Sequence, residues 1–485
     1  MTRNALSRRQ LMGGAGLTGM AGLLAACSGE SPPPDPAGGG DGGGGGGGNG
    51  EGLSWWDHFG GLQDLHNEWA TTEGDRIGVP IEYSYNEPSQ TTEALQVANQ
   101  TDSLPDVFSN VLGLPLPALV EAGWLSPITL SDEAMARLPE GTFTEGITMM
   151  DGEIYGLPAL SDRQYWACTW YNSEIAEEVG FEPPSSYDEM RAALQAIADH
   201  GEYAPMTLAL GAAGRIRDQV DGLAQGGGFP GWQGLRYDTG EYEYQHDTYI
   251  NAIELLKEIS DNGWLLPGTN SFQIPDARGR WAAGQIGFFI DGPWSPGGVR
   301  SLNAEHLPRM AVAGMLTPGG EELIITRGAP APTWFIAGSS ANPEAASQLV
   351  ETFTRDDYQR ALAEAMDQPP LNLDVVAEAD VIDPYAWLIE DFKERVFRAP
   401  EPEVRNVAAT EALARTTPIA PHLGDIIQGY LGGDISDLQG ELVKLSDAFN
   451  SDLDSAIESA AAEGFEVSRD DWAFSDWERG TDYTY

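Results

Sequence analysis

The sequence predicts a body made of two α/β lobes with additional helices. Strand-like and helix-like segments alternate from residue 53 to residue 122, which is typical of a parallel sheet covered by helices. The alternation resumes between residues 156 and 337, and the last third of the chain is mostly helical. A length of 485 residues, of which 41% are hydrophobic, provides core for roughly two to four domains.

The first elements are short strands that alternate with amphipathic helices. Apolar residues three or four positions apart predict the helices, and β-rich alternating runs predict the strands. Breaks at Gly60-Gly61 and at Leu104-Pro105 separate these elements. The predicted strands are 53–58, 79–85 and 106–111, and the predicted helices are 62–72, 91–100 and 116–122.

The same patterns predict the later elements. The predicted strands are 156–160, 166–171, 207–210, 285–290, 310–316 and 333–337. Ser185 or Ser186 with Glu189 forms a capping box at the start of one helix. The predicted helices are 173–179, 186–200, 248–262, 343–355, 357–365, 384–397, 422–431 and 436–463.

The chain is strongly acidic, with 26 Lys and Arg against 75 Asp and Glu, which gives a net charge of −49. This balance argues against nucleic acid and anionic membrane surfaces as partners. Self-repulsion at this level destabilises a compact state, and molar salt relieves it by shortening the screening length to about 3 Å. We therefore expect a halophile's protein of the haloarchaeal type, with an ordinary acidic secreted protein as the alternative.

Residues 1–27 have the features of an export signal. They contain no acid, and the pair Arg8-Arg9 precedes a stretch of Leu, Met, Ala and Gly too short to span a membrane. The arginine pair resembles a twin-arginine signal, whose cargo is exported folded. Leu24-Ala25-Ala26-Cys27 resembles a lipobox, in which the Cys27 thiol receives a diacylglycerol group. The alternative is a plain secretory signal with a chance cysteine.

Residues 28–52 predict a disordered tether between the anchor and the body. Three consecutive prolines and a run of glycines leave nothing that could bury apolar area. A lipid group on Cys27 would hold the protein at a membrane without spanning it. A leader without a role has the same composition and stays open as an alternative.

Motifs for catalysis, metals and cofactors are absent from the sequence. The six histidines are too scattered for a metal motif, and two cysteines cannot form a four-ligand zinc site. G-x-G-x-x-G matches at 14–19, inside the signal, and at 226–231, where Pro230 within the match and the lack of a predicted following helix do not fit a dinucleotide site. Cys168 lies in a predicted strand, and we expect it to be a buried, unreactive thiol. We expect the protein to bind no cofactor and no metal and to have no enzymatic activity. A glycosidase carboxylate pair can be neither located nor excluded from the sequence.

Aromatic residues in Gly/Pro-rich contexts are the strongest functional signal. Trp294 lies in the run Asp291 to Gly298, directly after an apolar strand, and we expect Gly292, Pro293 and Pro296 to hold it in a loop. An indole ring offers a flat apolar face to the C–H side of a sugar ring, and nearby carboxylates and amides suit its hydroxyls. The pattern therefore indicates a carbohydrate site.

Six segments of the sequence, taken in order, form a recognisable series. They are Leu53–Gly61, Leu104–Phe108, Asp151–Pro158, Trp170–Asn172 with Pro183–Glu189, Phe289–Trp294 and Asn342–Ala346. Together they resemble the extracellular solute-binding proteins of ABC sugar transporters, the maltose-binding-like group, and the resemblance covers nearly all of residues 53–450. Departures are Phe288-Phe289 before the Gly-Pro-Trp run, a longer stretch at 161–167, and a tail after Phe465 without a counterpart.

This resemblance implies a two-lobed periplasmic-binding-protein-like fold in which hinge strands join the lobes and ligand binds in the cleft. The chain would cross near Pro158, near Val312 to Leu316 and near Pro370. Lobe one would be 53–157 plus 314–370, and lobe two 158–313 plus 371–485. Carried over by position, the ligand-binding residues are Trp56, Asp57, His58, Ser109, Asn110, Asp162, Arg163, Trp166 and Trp294, with Trp232 and Trp334 as weaker candidates.

The resemblance also implies the partners and the location. The ligand would be a sugar or oligosaccharide, the protein partner an ABC permease, and the chain a monomer on the outer face of the cell membrane, held by its lipid anchor. Two alternatives stay open. One is a secreted carbohydrate-active enzyme, and the other is a protein of the same fold for a non-sugar solute. A phosphoester solute would require an Arg/Lys cluster, which the sequence does not show.

Overall fold

The computed structural model describes residues 52–110 and 114–485. The predicted export signal, Cys27 and residues 28–51 of the predicted tether lie outside this part of the chain. The body is mixed α/β, and its described residues form a six-stranded sheet, a four-stranded sheet, three two-stranded sheets and two major hydrophobic cores. Within the described ranges, no helix has both the length and the apolar character that a membrane span needs.

Sixteen strands occur in the described residues, many of them short. They are β1 Leu53–Asp57, β2 Ile81–Tyr85, β3 Val107–Ser109, β4 Leu125–Ser126, β5 Met149–Met150, β6 Glu153–Ile154, β7 Gly156–Leu157, β8 Cys168–Asn172, β9 Ala204–Thr207, β10 Gly231–Trp232, β11 Leu235–Arg236, β12 Ile286–Asp291, β13 Met310–Val312, β14 Ile325–Arg327, β15 Trp334–Ala337 and β16 Val396–Arg398.

Seventeen α-helices occur in the same part of the chain. They are α1 Gln63–Ile77, α2 Pro88–Gln100, α3 Leu116–Glu121, α4 Asp132–Arg137, α5 Ser173–Val179, α6 Tyr187–His200, α7 Ala213–Gly226, α8 Asp247–Asp261, α9 Ile274–Ala282, α10 Ser295–Asn303, α11 Pro343–Thr352, α12 Asp356–Ala365, α13 Asp383–Arg395, α14 Pro402–Arg405, α15 Ala409–Leu413, α16 Leu423–Gly432 and α17 Leu438–Ala462.

The sheet of the first lobe has the order β2-β1-β3-β15-β4, with β7 paired to β15. The predicted parallel arrangement is confirmed for its first three strands, since β1 runs parallel to both β2 and β3. Side chains alternate across a strand, so Leu53, Trp55 and Asp57 of β1 all face the buried side. Trp55 packs there against Phe353, which follows α11.

The sheet of the second lobe has the order β13-β8-β12-β9. Its central strand β12 is buried along its whole length, as its unbroken apolar run predicts. It pairs antiparallel with β8 and parallel with β9. Because the carboxyl end of β12 lies beside that of β9, the residues that follow these strands share one edge of the sheet.

Backbone hydrogen bonds join the segments near Pro158 and Pro370, which are two of the three predicted crossings between the lobes. Ser161 N donates to Pro369 O at 3.0 Å, and Leu371 N donates to Ala159 O at 3.1 Å. Thr333 N donates to the carbonyl of Leu157 at 2.9 Å. These contacts join three stretches that are far apart in sequence. The lobe boundaries given above stay a prediction.

Two differences from the predicted elements have physical reasons. The predicted strand 207–210 is displaced to β9, which contains Pro205; an edge strand tolerates proline because one side of its backbone needs no ladder partner. Helix α7 escapes prediction because its glycines weaken helix propensity. Gly222 and Gly226 instead allow close contact with Met315, since an added Cβ would lie 3.3 Å and 3.1 Å from its side chain.

The tail after Phe465 packs against the rest of the folded body. Trp472 and Phe474 are buried, and Phe474 N donates to the carbonyl of Tyr237 at 2.6 Å. Arg479 donates to the carbonyl oxygens of Gln225 and Ile324 at 3.0 and 3.1 Å. This tail is therefore an integral part of the folded body.

Candidate functional site

The carboxyl end of β12 positions Trp294. Trp294 Nε1 donates to Asp291 Oδ1 at 3.0 Å, and Ser295 Oγ donates to Asp291 Oδ2 at 2.9 Å. A Cβ on Gly292 would overlap the indole ring, so glycine is required beside it. The predicted loop is wrong beyond Trp294, because α10 begins at Ser295; Pro296 fits the first turn, where its missing N–H has no intrahelical partner to lose.

Two arginines surround the buried carboxylate of Asp291. Arg278 Nη2 donates to Asp291 Oδ2 at 2.8 Å, and Arg215 Nη1 lies 3.7 Å from Oδ1. Burial favours the neutral acid, yet Arg278 and Arg215 hold the pKa of Asp291 below its ordinary value. The Arg215 guanidinium also lies 4.6 Å from the centre of the Trp294 ring, in a cation–π contact.

Trp294 belongs to a group of three half-buried tryptophans, Trp166, Trp232 and Trp294, which we call the tryptophan cluster. The Trp166 ring centre lies 6.1 Å from that of Trp294 and 6.2 Å from that of Trp232. Arg327 lies over the rings of Trp232, at 3.6 Å, and Trp166, at 4.7 Å. Three segments distant in sequence thus form one aromatic surface.

The two weaker sequence candidates have different surroundings. Trp232 lies on the short β10–β11 hairpin and joins the tryptophan cluster. Trp334 is 1% exposed in β15 and packs edge-on against Trp55 in the core of the first lobe. Trp334 is therefore a core residue.

A cavity of about 290 Å³ adjoins the crossing segments, and we call it the hinge cavity. Its volume lies near the lower end of the range for small-molecule sites. It contains two of the predicted site residues, Asp162 and Arg163. The lining residues are Pro139, Glu140, Thr142, Ser161, Asp162, Arg163, Arg327, Gly328, Pro330, Leu371, Asn372, Leu373, Asp374, Lys393, Phe397 and Arg398.

Asp162 and Arg163 do not pair with each other. Asp162 Oδ2 accepts a hydrogen bond from Ala331 N at 2.7 Å. Burial raises the pKa of Asp162 to about 6, against the opposing effects of that hydrogen bond and of Arg327. Arg163 donates to the carbonyl of Val396 and to the carboxylate of Asp482 in the tail. Its guanidinium is thus engaged within the protein.

The predicted residues of the first lobe divide into two groups. His58, Ser109 and Asn110 meet at the carboxyl ends of the parallel strands β1 and β3: His58 Nδ1 lies 2.7 Å from Ser109 Oγ, and Asn110 N donates to Thr333 O at 3.0 Å. Burial lowers the pKa of His58 more than neighbouring Asp57 raises it, which favours the neutral ring. These residues lie at the edge where a cleft would open.

Asp57 and Trp56 have contacts inside the first lobe. Asp57 is fully buried, and its carboxylate accepts from Tyr83 Oη at 2.9 Å and Phe59 N at 3.1 Å and pairs with His66. Half-buried Trp56 packs on the cluster that contains Phe108. These contacts favour a structural role for Asp57, whose carboxylate points into the lobe.

A family model described as bacterial extracellular solute-binding protein matches residues 70–386. The chain belongs to this family. A protein of Brucella abortus, named only as a binding protein, is 24% identical over 223 residues, or 41% of this chain and 46% of that relative. This solute-binding protein thus spans about half the length of the curated relatives that it matches.

Solved structures of two-lobed solute-binding proteins share the fold of this chain. An ABC transporter solute-binding protein from Thermotoga lettingae, bound with α-D-tagatose, has a TM-score of 0.60 and 20% identity, covering 83% of this chain and 100% of that chain. MalX from Streptococcus pneumoniae, in complex with maltopentaose, has a TM-score of 0.59 and 19% identity, covering 82% and 100%. At these identities the likeness establishes the fold.

Sequence reasoning missed the arginines of this solute-binding protein. No Arg/Lys cluster is visible in the sequence, but the structure brings Arg215, Arg278 and Arg327 to the tryptophan cluster and its Asp291 support. The one available signal was Arg215, which lies in the first turn of the helix after β9. Ligands of α/β sheets bind at such carboxyl ends.

Asp367 also escaped prediction. It is half-buried against Gly61, where an added Cβ would overlap its carboxylate, and this explains the glycine in the opening segment. Burial raises the pKa of Asp367 to about 6, although Arg278 acts in the opposite direction. Asp367 therefore links the start of the first lobe electrostatically to the arginines of the second.

A second cavity, of about 350 Å³, continues from Trp232, and we call it the aromatic cavity. Burial raises the pKa of Glu401 at its wall to about 8, and Glu403 adds to the effect. Aromatic side chains form much of the remaining wall: Trp232, Tyr237, Tyr242, Tyr244, Phe449 and Phe474. The last of these belongs to the tail.

Proposed function

We propose that this solute-binding protein captures a sugar or oligosaccharide outside the cell and delivers it to an ABC importer. The tryptophan cluster carries the proposal, because it combines flat apolar ring faces with charged hydrogen-bonding groups beside a cavity. Tagatose and maltopentaose in the structures of similar fold support a sugar as the ligand class.

The proposed ligand contacts come from both lobes. Trp166, Trp232 and Trp294 would stack on sugar rings, with Asp162 accepting hydroxyl hydrogen bonds in the hinge cavity. His58 and Asn110 would contact the ligand from the first lobe, with Ser109 orienting His58. Closure by bending at the crossing segments would complete the site.

The crossings define the proposed lobes: 53–157 with 314–370, and 158–313 with 371–485. The aromatic cavity extends the surface beyond Trp232 and supports a ligand of more than one sugar ring. The function that this arrangement fits is binding and release, with no chemical step and no cofactor.

The proposal includes attachment to the outer face of the cell membrane. Export through a twin-arginine signal, lipidation of Cys27 and a glycine-rich tether would leave the body free to meet its permease. The test compares the wild-type chain with Cys27→Ser in membrane and medium fractions. We expect the variant to leave the membrane fraction; wild-type amounts of the variant there would contradict lipid anchoring.

Calorimetric titration in 2 M KCl, against mono- and oligosaccharides that include tagatose and maltopentaose, tests the binding function. We expect saturable binding of at least one sugar, weakened by Trp232→Ala. Trp387→Ala is the matched control, because Trp387 is 48% exposed on α13 and outside the tryptophan cluster. Absence of binding by any sugar, with the protein folded, would refute the proposal.

A further inference from the structure

Arg327 lacks the ionic partner that the composition of the chain would lead one to expect. The chain has 75 acidic residues against 26 basic ones, and most basic side chains in the described residues pair with a carboxylate. Arg327 is only 7% exposed, yet no carboxylate oxygen of the described residues lies within 4.0 Å of it. A buried charge without a partner is costly, so this position calls for an explanation.

Protein groups satisfy only part of the Arg327 guanidinium. Arg327 Nε donates to Gln164 O at 2.9 Å, and Nη2 is buried without any hydrogen-bond partner. The ring faces of Trp232 and Trp166 attract the charge but do not accept its N–H hydrogens in the plane of the guanidinium. Burial lowers the pKa of Arg327 to about 10, which leaves it charged at neutral pH.

The neighbouring carboxyl groups compensate this charge weakly. Asp162, Asp221 and Asp218 act on Arg327 from beyond ion-pair distance. Burial raises the pKa of Asp162 to about 6 and that of Asp221 to about 7, and neither carboxyl group forms an ion pair with the Arg327 guanidinium. On the other side of the tryptophan cluster, Arg215 and Arg278 share Asp291. No carboxylate of the described residues therefore forms a direct ion pair with Arg327.

Arg327 is also placed to meet a ligand. It lines the hinge cavity and at the same time covers two rings of the tryptophan cluster. We infer that the solute carries a carboxylate, as a uronic acid does, and that Arg327 binds it while the tryptophan cluster holds the sugar ring. This inference rests on the proposed function and narrows its ligand class.

A carboxylate fits this position better than a phosphate. It is planar, matches the guanidinium fork with two parallel hydrogen bonds, and carries one negative charge. A phosphate monoester carries about −1.5 to −2 charges at pH 7, which is more than the single charge of the Arg327 guanidinium. A sulfate ester also carries one charge but is not planar, so the experiment includes it as a separate arm.

The experiment is calorimetric titration at pH 7.5 in 2 M KCl with paired probes. Glucuronate and galacturonate, and their oligomers, are compared with the neutral sugars and with sulfated analogues. We expect at least tenfold tighter binding of a uronate than of its neutral parent. A buried ion pair is screened less than a surface pair, so the preference should persist in molar salt.

Variants at Arg327 locate the effect. Arg327→Met should lower uronate affinity at least tenfold more than it lowers the affinity for the matching neutral sugar, and Arg327→Lys should give an intermediate loss of the uronate preference because it lacks the fork. Arg280→Met is the matched control, since Arg280 also stacks on an aromatic ring but lies exposed at the end of α9. Melting curves establish whether each variant is folded. If a variant does not fold, the preference of the wild-type protein for a uronate over its neutral parent still tests the inference.

The outcomes separate the two proposals. Equal or weaker binding of uronates, with neutral sugars bound, would overturn the carboxylate and leave the proposed function standing. Tighter binding of a sulfated sugar than of any uronate would also overturn it. Failure of every sugar to bind would refute the proposed function itself.

Discussion

Arg163, beside the first crossing segment, donates a hydrogen bond to the carboxylate of Asp482 in the tail. The same carboxylate accepts from Arg398 N at 2.7 Å, and Arg398 in turn donates to the carbonyl of Gly141 at 3.1 Å. The tail thus connects the crossing region to β16 and to the segment after α4. Arg163 was predicted to contact the ligand, but its hydrogen bond to Asp482 indicates that it anchors the tail instead.

The first prediction concerns this anchor. Arg163 and Asp482 are 40% and 45% exposed, so their ion pair contributes well under 1 kcal/mol after solvent screening. Asp482→Asn and Arg163→Met should each lower the melting temperature by no more than a few degrees and leave sugar affinity within about twofold. An Arg163→Met protein with unchanged melting and strongly reduced sugar affinity would assign Arg163 to the ligand instead.

The second prediction concerns Trp294 as a stacking platform. Removing its ring should weaken sugar binding about tenfold to a hundredfold, because an aromatic platform contributes on the order of 1–3 kcal/mol. Trp294→Ala is measured by titration and by thermal melting, with Trp387→Ala as control. Loss of the fold, or full retention of affinity for a sugar that the wild type binds, would contradict the platform.

The third prediction tests whether sugar affinity depends on the position of the Trp294 ring as well as on its presence. Gly292→Ala adds a methyl group where the indole of Trp294 lies, so the ring must move while its chemistry is unchanged. We expect a loss of affinity close to that of Trp294→Ala, seen in the same titration. Gly214→Ala in α7 is the control, because its added methyl meets no atom within 4 Å. Unchanged affinity in Gly292→Ala would show that ring position is unimportant.

The fourth prediction is a pH dependence of stability at His306. The ring is fully buried against Trp281, both nitrogens lack partners, and burial lowers its pKa to about 4, with Arg309 adding to the effect. The unfolded chain, with a histidine pKa near 6.5, therefore takes up the proton first as pH falls. The free energy of unfolding should drop between about pH 6.5 and pH 4, by up to about 3 kcal/mol from this residue.

Denaturant unfolding of His306→Phe at pH 7.5 and pH 5 measures that contribution. The variant should lose less stability than the wild type over this interval, because phenylalanine takes up no proton. The exposed His200, replaced by Gln, serves as the control. Equal pH sensitivity of the wild type and His306→Phe would assign the acid instability to other groups.

The fifth prediction concerns salt. A net charge of −49 repels itself at low ionic strength, so the melting temperature should rise from 0.1 M to 2 M KCl. NaCl should act like KCl if screening is the cause, and the rise should level off as the screening length falls to about 3 Å. A flat melting temperature across this range would contradict the halophilic interpretation.

The sequence by itself determined the features that depend on neighbouring residues. The periods of apolar residues placed β1, β2 and β3 and their connecting helices, and the unbroken apolar run of β12 predicted a buried strand followed by Trp294. The residues of the motifs and their order along the chain were enough to indicate the family. These features are local because strand pleat and helix period are set within a few residues.

Only the tertiary structure decided which distant residues meet. Arg215, Arg278 and Arg327 come from separate helices and strands, and no spacing in the chain relates them to Trp166 or Trp232. In the folded protein, the Asp57 carboxylate points into the first lobe and accepts a hydrogen bond from Tyr83, and Arg163 donates to Asp482 of the tail. Such contacts depend on how the sheets and helices pack against one another. The spacing of residues along the chain does not show which distant side chains this packing brings into contact.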